Sequence, residues 1–112
     1  MNYIETPDGV KRPFRFSWLA LLRLAKELNI EKLQGLVSGV TDLHLDKVST
    51  FCLFGFEHGA KREKIEVDFK ETDVANWLDD DFSIFTKAME IFAKDFNAGA
   101  DEGNASEAKA RK

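Results

Sequence analysis

The chain has 112 residues, of which 44% are hydrophobic and 32% charged, and 20 acidic against 16 basic side chains give a formal charge of -4. This length fits one domain, and ten Phe with two Trp supply enough apolar surface for one core, which excludes disorder over most of the chain. The negative charge gives little support to nucleic-acid binding, and the longest apolar run, residues 51–56, is far shorter than the ~20 residues of a transmembrane helix.

The first predicted element is a β-hairpin over residues 2–16. Its turn lies at residues 6–9, with the sequence TPDG, because Pro presets one backbone angle of a turn and Gly accepts a positive φ. The second arm alternates, which places the rings of Phe14 and Phe16 on one face. Pro13 lacks a backbone N–H and therefore indicates an edge position.

Two helices are predicted next, since the spacing of apolar residues changes to three and four. Ser17 is the N-cap of the first helix, and Asn29 is expected to break it and to cap the second, which Gly39 ends. The apolar stripe of the first helix is Trp18, Leu21, Leu22, Ala25 and Leu28, and that of the second is Ile30, Leu33, Leu36 and Val37.

A third helix is predicted from about Asp42 to about His58, with Gly59 as its C-terminal stop. We expect it to be the most buried helix, because its apolar stripe is the longest: Leu45, Val48, Phe51, Cys52, Gly55 and Phe56. The next segment holds three apolar residues that alternate with charged ones, and whether residues 65–69 form a strand stays open.

Two further helices complete the prediction. Thr72 caps the first, which carries Val74, Trp77 and Leu78, and the acids at 79–81 begin the second. The apolar stripe of this last helix is Phe82, Phe85, Met89, Phe92 and Phe96.

The predicted fold class is therefore mainly α, with about five short helices and an N-terminal hairpin in one compact domain, residues 1–97. Residues 98–112 contain no large apolar side chain and are predicted to be a disordered tail. The predicted core is built around Leu22, Val48, Phe51, Cys52, Trp77 and Phe85.

Cys52, His44 and His58 are the residues suited to soft-metal ligation or nucleophilic catalysis, but none has a CxxC, HxxxH or HExxH spacing. The three adjacent acids at 79–81 lack the spacing of a calcium loop and are typical of a helix N-terminus. We therefore predict no catalytic residue, no metal and no cofactor, and a protein that is not an enzyme.

Glycines occur twice at GxxxG spacing, in residues 35–39 and 55–59, but neither segment lies in a long apolar helix, so Gly39 and Gly59 are interpreted as helix stops. Basic side chains form two small groups, and acids predominate in residues 63–81. Solvated surface is the favoured interpretation of these charges, with docking of an oppositely charged protein as the alternative. The two basic groups are Lys11, Arg12 and Arg15, and Lys61, Arg62 and Lys64.

Thirteen aromatic residues are more than five short helices easily bury, so an exposed apolar surface used for association is predicted. The candidate partner-binding residues are those near helix ends, where a core is least complete. They are Trp18, Phe54, Phe56, Phe92 and Phe96.

The order of four segments after the hairpin, PFRFSWLAL at 13–21, FGFEHGA at 54–60, VDF at 67–69 and DVANWLD at 73–79, resembles the tail assembly chaperones of long-tailed bacteriophages and prophages. The resemblance covers about residues 3–96. It implies a helical protein that binds the tape-measure protein in the bacterial host cytoplasm, with the major tail tube protein as a second candidate partner. Such a chaperone assists tail-tube assembly and is not part of the finished particle.

This function agrees with general physical expectations. A tape-measure protein is a long helical chain whose apolar stripes stay uncovered until the tube closes, so it needs a partner that covers amphipathic helices reversibly. That task requires no nucleic acid, membrane or cofactor. The absence of a secretory signal and the single Cys52 also favour a cytoplasmic location.

Two alternatives stay open. One is a small acidic adaptor or regulator that docks through its acidic half, and another is a minor structural protein of a phage particle. Self-association as a homo-oligomer is compatible with each of these functions.

Overall fold

The structure is a computed structural model that describes residues 2–96 of the chain. Its elements are β1 (Asn2–Glu5), β2 (Lys11–Phe14), α1 (Trp18–Glu27), α2 (Leu33–Thr41), a 3₁₀ turn (Leu45–Lys47), α3 (Val48–Arg62), α4 (Glu71–Asp80) and α5 (residues 83–96). The predicted mainly helical fold with five helices and an N-terminal hairpin is confirmed. The predicted tail, residues 98–112, lies outside the described residues.

Strands β1 and β2 form an antiparallel hairpin in the predicted place, with Tyr3 opposite Pro13. Gly9 closes the turn at φ +83°, a left-handed conformation that Gly adopts without steric cost, and its N–H donates to the Thr6 carbonyl at 2.9 Å. The second strand ends at Phe14, two residues earlier than predicted. There the chain leaves the hairpin and docks on α3.

Helix α1 begins as predicted, since the Ser17 hydroxyl accepts a hydrogen bond from the Ala20 N–H at 3.2 Å. Its buried face differs from the predicted stripe, because Ala20, Leu21 and Leu24 are buried while Trp18 and Leu22 are exposed. The apolar residues of α1 cover a wider arc than the neighbouring elements bury, so one edge of this arc stays outside the core.

Helix α1 ends in a Schellman motif. Asn29 takes the left-handed conformation, with φ +56°, and the Ile30 N–H donates to the Ala25 carbonyl at 2.8 Å. The prediction that Asn29 caps the second helix is therefore wrong, because this residue completes the first. Helix α2 follows Lys32, whose side chain makes no capping hydrogen bond.

Two predictions for α2 are also wrong. The helix continues through Gly39 to Thr41, and Val37 is exposed while Leu36 is buried. Gly39 instead makes room for a neighbour, since a Cβ at this position would lie 2.4 Å from Cδ1 of Ile30.

Helix α3 is central to the fold, and Phe51, Cys52 and Phe56 are fully buried on it as predicted. It begins later than predicted, because the chain first forms the 3₁₀ turn, in which Leu45 is 93% exposed rather than part of the stripe. It also ends later, at Arg62, where Lys64 with φ +58° supplies the left-handed residue of a second Schellman motif.

Gly55 and Gly59 lie inside α3 and face the hairpin. A Cβ at residue 55 would lie 2.1 Å from Cζ of Phe14, and a Cβ at residue 59 would lie 2.3 Å from the backbone oxygen of Pro13. The interpretation of Gly59 as a helix stop is therefore wrong. The glycine spacing lets strand β2 approach the backbone of α3. Just after this strand, the Arg15 N–H donates a hydrogen bond to the Gly55 carbonyl.

Helix α4 buries Val74, Trp77 and Leu78, as predicted. It begins at Glu71, because the carboxylate of Asp73, rather than Thr72, caps it by accepting the N–H of residue 70 at 2.8 Å. Residues 65–69, whose strand character was open, have no regular secondary structure.

Helix α5 begins after the predicted acids, where the Asp81 carboxylate accepts both the N–H and the hydroxyl of Ser83. Asp79 and Asp80 lie in the last turn of α4, so the prediction that all three acids begin the last helix is wrong. Phe82, predicted on its apolar stripe, precedes the helix and is 59% exposed. The stripe is shifted, and its buried members are Ile84, Ala88, Ile91 and Phe92.

The core is a cluster of aromatic rings around Phe51, whose ring centroid lies 4.8 Å from that of Phe16 and 5.6 Å from that of Phe92. The residues after the hairpin meet the end of α5 here, because the Phe16 N–H donates to the Asp95 carboxylate at 3.0 Å. Of the six predicted core residues, Leu22 alone is misplaced: Phe51, Cys52 and Trp77 are buried, and Val48 and Phe85 pack against the cluster.

Among the residues that the structure describes, no helix has both the length and the apolar character needed to cross a bilayer.

Candidate functional site

The five predicted partner-binding residues do not share a surface. Phe54, Phe56 and Phe92 are buried, and Phe96 is half-buried against Phe92, with ring centroids 5.8 Å apart. Trp18 is 63% exposed. Binding by these residues stays a prediction, but the three buried rings reach a partner only if the core opens.

Neighbouring elements explain why these rings are covered. The Arg23 guanidinium lies 4.0 Å from the centroid of the Phe54 ring, and Phe14 of the hairpin packs on Phe56 at 4.9 Å. Phe92 lies 5.2 Å from Phe16. Phe54 and Phe56 thus lie in the middle of α3 rather than near its end, where α1 and the hairpin cover them.

An exposed apolar surface does exist, on α1 and the segment that leads into α2. Leu19 is 68% exposed and Leu22 41%, next to Trp18. Beside them lies a groove of about 90 Å³, which we name the α1–α2 groove. It is lined by Trp18, Leu21, Leu22, Ala25, Ile30 and Leu36, with Glu31 and Lys32 at its polar rim.

The groove forms because of the way in which α1 ends. Because Asn29 reverses the chain, Ile30 turns towards α2, where its Cγ2 would lie 3.1 Å from a Cβ at Gly35. Small residues at 35 and 39 therefore let Ile30 pack between the two helices. Trp18 and Leu22 lie on the side of α1 that this packing leaves open.

The charge around the groove is positive. Residues 15–32 contain four basic and two acidic side chains, and Arg23 is paired with Glu57 at 2.7 Å. Lys26 and Lys32 are exposed and make no ion pair among residues 2–96. Both cations are free to meet a partner carboxylate.

The second part of the chain has the opposite charge. Residues 63–96 contain ten acids and four bases, a net charge of -6, whereas residues 2–62 contain seven acids and nine bases, a net charge of +2. At the α4–α5 junction, the exposed Phe82 directly follows three of these acids. We name Asp79, Asp80, Asp81 and Phe82 the acidic tip.

The first predicted basic group is not a continuous surface of free charges, because Arg12 makes its contacts inside the fold. Its guanidinium lies 4.6 Å from the centroid of Trp77 and pairs with Asp8 at 2.8 Å and Asp68 at 3.0 Å. Burial would raise the pKa of Asp8, but hydrogen bonds from Thr6 and Arg12 outweigh burial and hold this pKa below its ordinary value. Arg12 thus joins the hairpin to the acidic part of the chain.

The three candidate ligand or nucleophile residues lie apart from the groove. Burial raises the pKa of the Cys52 thiol to about 12, so this side chain stays a neutral member of the core. His44 is exposed before the 3₁₀ turn. Within residues 2–96, no three His, Cys, Asp or Glu side chains are placed to hold a metal ion.

His58 makes a contact that sequence spacing does not indicate. Its Nδ1 lies 3.4 Å from the hydroxyl of Ser17, 41 residues away, and its buried Nε2 has no hydrogen-bond partner among the described residues. Burial, and then the positive charges of Lys61 and Arg23, lower the pKa of His58. Since Ser17 also caps α1, the pair is interpreted as a structural link between α1 and α3.

Sequence reasoning missed Leu19, Leu22 and Phe82 as exposed apolar residues. Periodicity assigns Leu22 and Phe82 to helix stripes and gives Leu19 no role. The charge pattern did indicate the acidic part of the chain, which contains the acidic tip.

Searches against protein-family models, curated proteins and solved structures find no match to this chain. The observations that bear on function are therefore the α1–α2 groove, its basic surroundings and the acidic tip.

Proposed function

We propose that this protein is a tail assembly chaperone of a long-tailed phage or prophage, and that it binds amphipathic helices of the tape-measure protein. The observation that carries the proposal is the exposed apolar surface of Trp18, Leu19 and Leu22 beside the α1–α2 groove. The segment order over residues 3–96, which resembles such chaperones, supports the same function.

Helix-in-groove binding accounts for these features. A partner helix presents apolar residues at spacings of three and four, and two of them fit on the row formed by Trp18, Leu22 and the groove. Each large apolar side chain removed from water contributes about 1.5–3 kcal/mol, so a small surface gives reversible binding. Reversibility suits a chaperone of the bacterial cytoplasm that leaves when the tube closes, and this mechanism uses no cofactor or nucleotide.

The test is co-expression with a tape-measure fragment from the same genome. We expect wild type to raise the soluble fraction of the fragment, and the double variant Trp18→Ser, Leu22→Ser to lose this effect. Leu45→Ser is the matched control, because Leu45 is more exposed than either residue and does not line the groove. Equal solubility of the fragment with and without the protein would contradict the chaperone function.

Calorimetry checks the mode of binding. Burial of apolar groove residues gives a negative heat-capacity change and little dependence on salt. A binding constant that falls steeply with salt would instead favour the second candidate, an acidic adaptor, which the net charge of -6 over residues 63–96 supports. Stoichiometric presence in purified particles would favour a minor structural protein.

A further inference from the structure

A second groove lies along the outer edge of β2, between this strand and residues 65–69. It has a volume of about 150 Å³ and mostly apolar walls. An apolar protein cavity of about this volume is large enough for a benzene ring. We name it the β2 groove, and its walls include Lys11, Pro13, Phe56, Ala60, Ile65 and Phe69.

The backbone of β2 offers an unused hydrogen-bonding pair at this groove. Pro13 lies opposite Tyr3 and has no N–H, and its carbonyl oxygen points away from β1, towards Gly59. Because backbone groups alternate between the two edges of a strand, the N–H and C=O of Lys11, two residues earlier, point the same way. Neither group finds a hydrogen-bond partner on that side among the described residues, so the edge is open to a short further strand.

Positive charge surrounds the β2 groove, because the fold brings together the two basic groups of the sequence. Three lysines beside it are exposed and make no ion pair among residues 2–96. Of the acids nearby, Glu63 and Asp68 are bound to side chains of the hairpin, and Glu66 is exposed. The rim therefore attracts a partner that carries carboxylates. The lysines are Lys11, Lys61 and Lys64.

We propose that the β2 groove binds an extended acidic peptide of a partner protein, with one aromatic ring in the cavity and a carboxylate on each side of it. The partner residue opposite Lys11 exchanges two backbone hydrogen bonds with it, as in strand addition. Side chains alternate between the faces of a strand, so a ring that points inwards onto Phe56 and Phe69 directs both neighbouring residues outwards. Arg12 faces the core against Trp77, so the Lys11 side chain lies on that outer face. The recognised pattern is acid, aromatic residue, acid.

This site is separate from the α1–α2 groove, since no residue lines both. The proposal therefore goes beyond the proposed function and does not rest on it. The double variant Trp18→Ser, Leu22→Ser, which disables the α1–α2 groove, keeps full binding of the acidic peptide.

The test is titration of a fluorescent peptide of sequence TVEFEVT with the full chain, followed by anisotropy. One buried ring and a few hydrogen bonds give a Kd between about 10 μM and about 1 mM. The peptides TVESEVT, without the ring, and TVKFKVT, with reversed charge, bind at least about fivefold more weakly. No binding of TVEFEVT at about 1 mM protein, or equal binding of either control peptide, overturns the proposal.

Amide exchange locates the bound strand. In the free protein the N–H of Lys11 exchanges quickly, and so does that of Glu5, which points out of the opposite edge of the hairpin and is the matched control. When the peptide exceeds its Kd tenfold, we expect exchange at Lys11 to slow by a factor of about ten and exchange at Glu5 to stay unchanged. Protection at Glu5, or none at Lys11, overturns the assigned position.

Single substitutions at exposed residues test the side chains without disturbing the core. Lys11→Gln and Lys61→Gln each weaken binding of TVEFEVT by about two- to fivefold, whereas Lys26→Gln, at an exposed lysine of α1, leaves it unchanged. Ile65→Ser weakens binding by about three- to tenfold because it removes part of an apolar wall, and Leu45→Ser is its control. Equal affinities of the groove variants and their controls overturn the proposal.

Discussion

At position 55, the absence of a side chain decides whether the hairpin docks. The Phe14 ring occupies the place of a Cβ and is itself fully buried, so it has no free space into which to move. We expect Gly55→Ala to lower the free energy of unfolding by about 1–3 kcal/mol, although Ala favours a helix by ~1 kcal/mol. Urea denaturation measures this loss.

Gly35→Ala is the control, because it makes the same change in a helix with a different neighbour. The nearest atom there is Cγ2 of the half-buried Ile30, at 3.1 Å, a side chain able to shift. We expect stability to stay constant or to rise by up to ~1 kcal/mol. Equal losses at positions 35 and 55 would mean that close approach of the hairpin is not the cause.

His58 predicts a dependence of stability on pH. The pKa of this residue in the folded state lies below its ordinary value of 6.5, so the unfolded chain binds the proton more readily. The free energy of unfolding is therefore unaffected by this residue above about pH 6.5 and falls as the pH drops below that value. Arg23, Lys61 and Glu57 are the charged groups near His58, and the first two disfavour its protonation.

Urea titrations of wild type and His58→Gln between about pH 5 and about pH 8, the range in which histidine changes charge, isolate the effect. We expect the difference between the two stability curves to be flat above about pH 6.5 and to change below it. Parallel curves throughout would show that His58 keeps its ordinary pKa in the folded protein.

At the scale of elements, α3 holds the domain together through Phe51. Its ring is fully buried and contacts rings from the residues after the hairpin and from α5. We expect Phe51→Ala to lower the free energy of unfolding by about 3–5 kcal/mol, because it leaves a cavity among rings that cannot all move inwards. Thermal and urea denaturation report this loss.

The matched control is Phe82→Ala, the same substitution at an exposed ring. This variant should lose little stability, since most of this side chain is in water in the folded and unfolded states. A thermal midpoint unchanged by Phe51→Ala would place α3 at the surface and contradict the packing.

The elements that the sequence predicts well are those whose signals are local. Ser17 caps α1 because its hydroxyl reaches a residue three positions later, and the buried face of α4 follows from spacing alone. The ends of α3 were missed for a physical reason. Gly59 stops a helix in isolation, but here it faces Pro13, a residue 46 positions earlier in the sequence.

The sequence predicts that an exposed apolar surface exists, but it does not predict which residues form it. An excess of aromatic residues indicates that some apolar surface stays exposed, and Trp18 is one such residue. Periodicity gives the width of an apolar arc, but not which edge of it a distant element covers. For this reason Leu22 was placed inside and Phe54, which Arg23 covers, was placed at the surface.

At the scale of the whole molecule, residues 98–112 bring no large apolar side chain and as many acids as bases. We expect a chain that ends at Asn97 to keep the thermal midpoint of the full chain, because nothing in the deleted sequence offsets the entropy of ordering it. A lower midpoint would show that this segment packs on the domain. Strong amide protection beyond Gly99 in the full chain would show the same.

The hydrogen bond from Phe16 to Asp95 joins residues that the ribosome makes far apart in time. The two are 79 residues apart, and synthesis at about 5–20 residues per second separates them by roughly 4–16 s. Until α5 has been made, Phe16 lacks its contact with the ring of Phe92. The core consequently closes only after α5 has been made, so a chain that still lacks α5 is more exposed to aggregation than the folded domain.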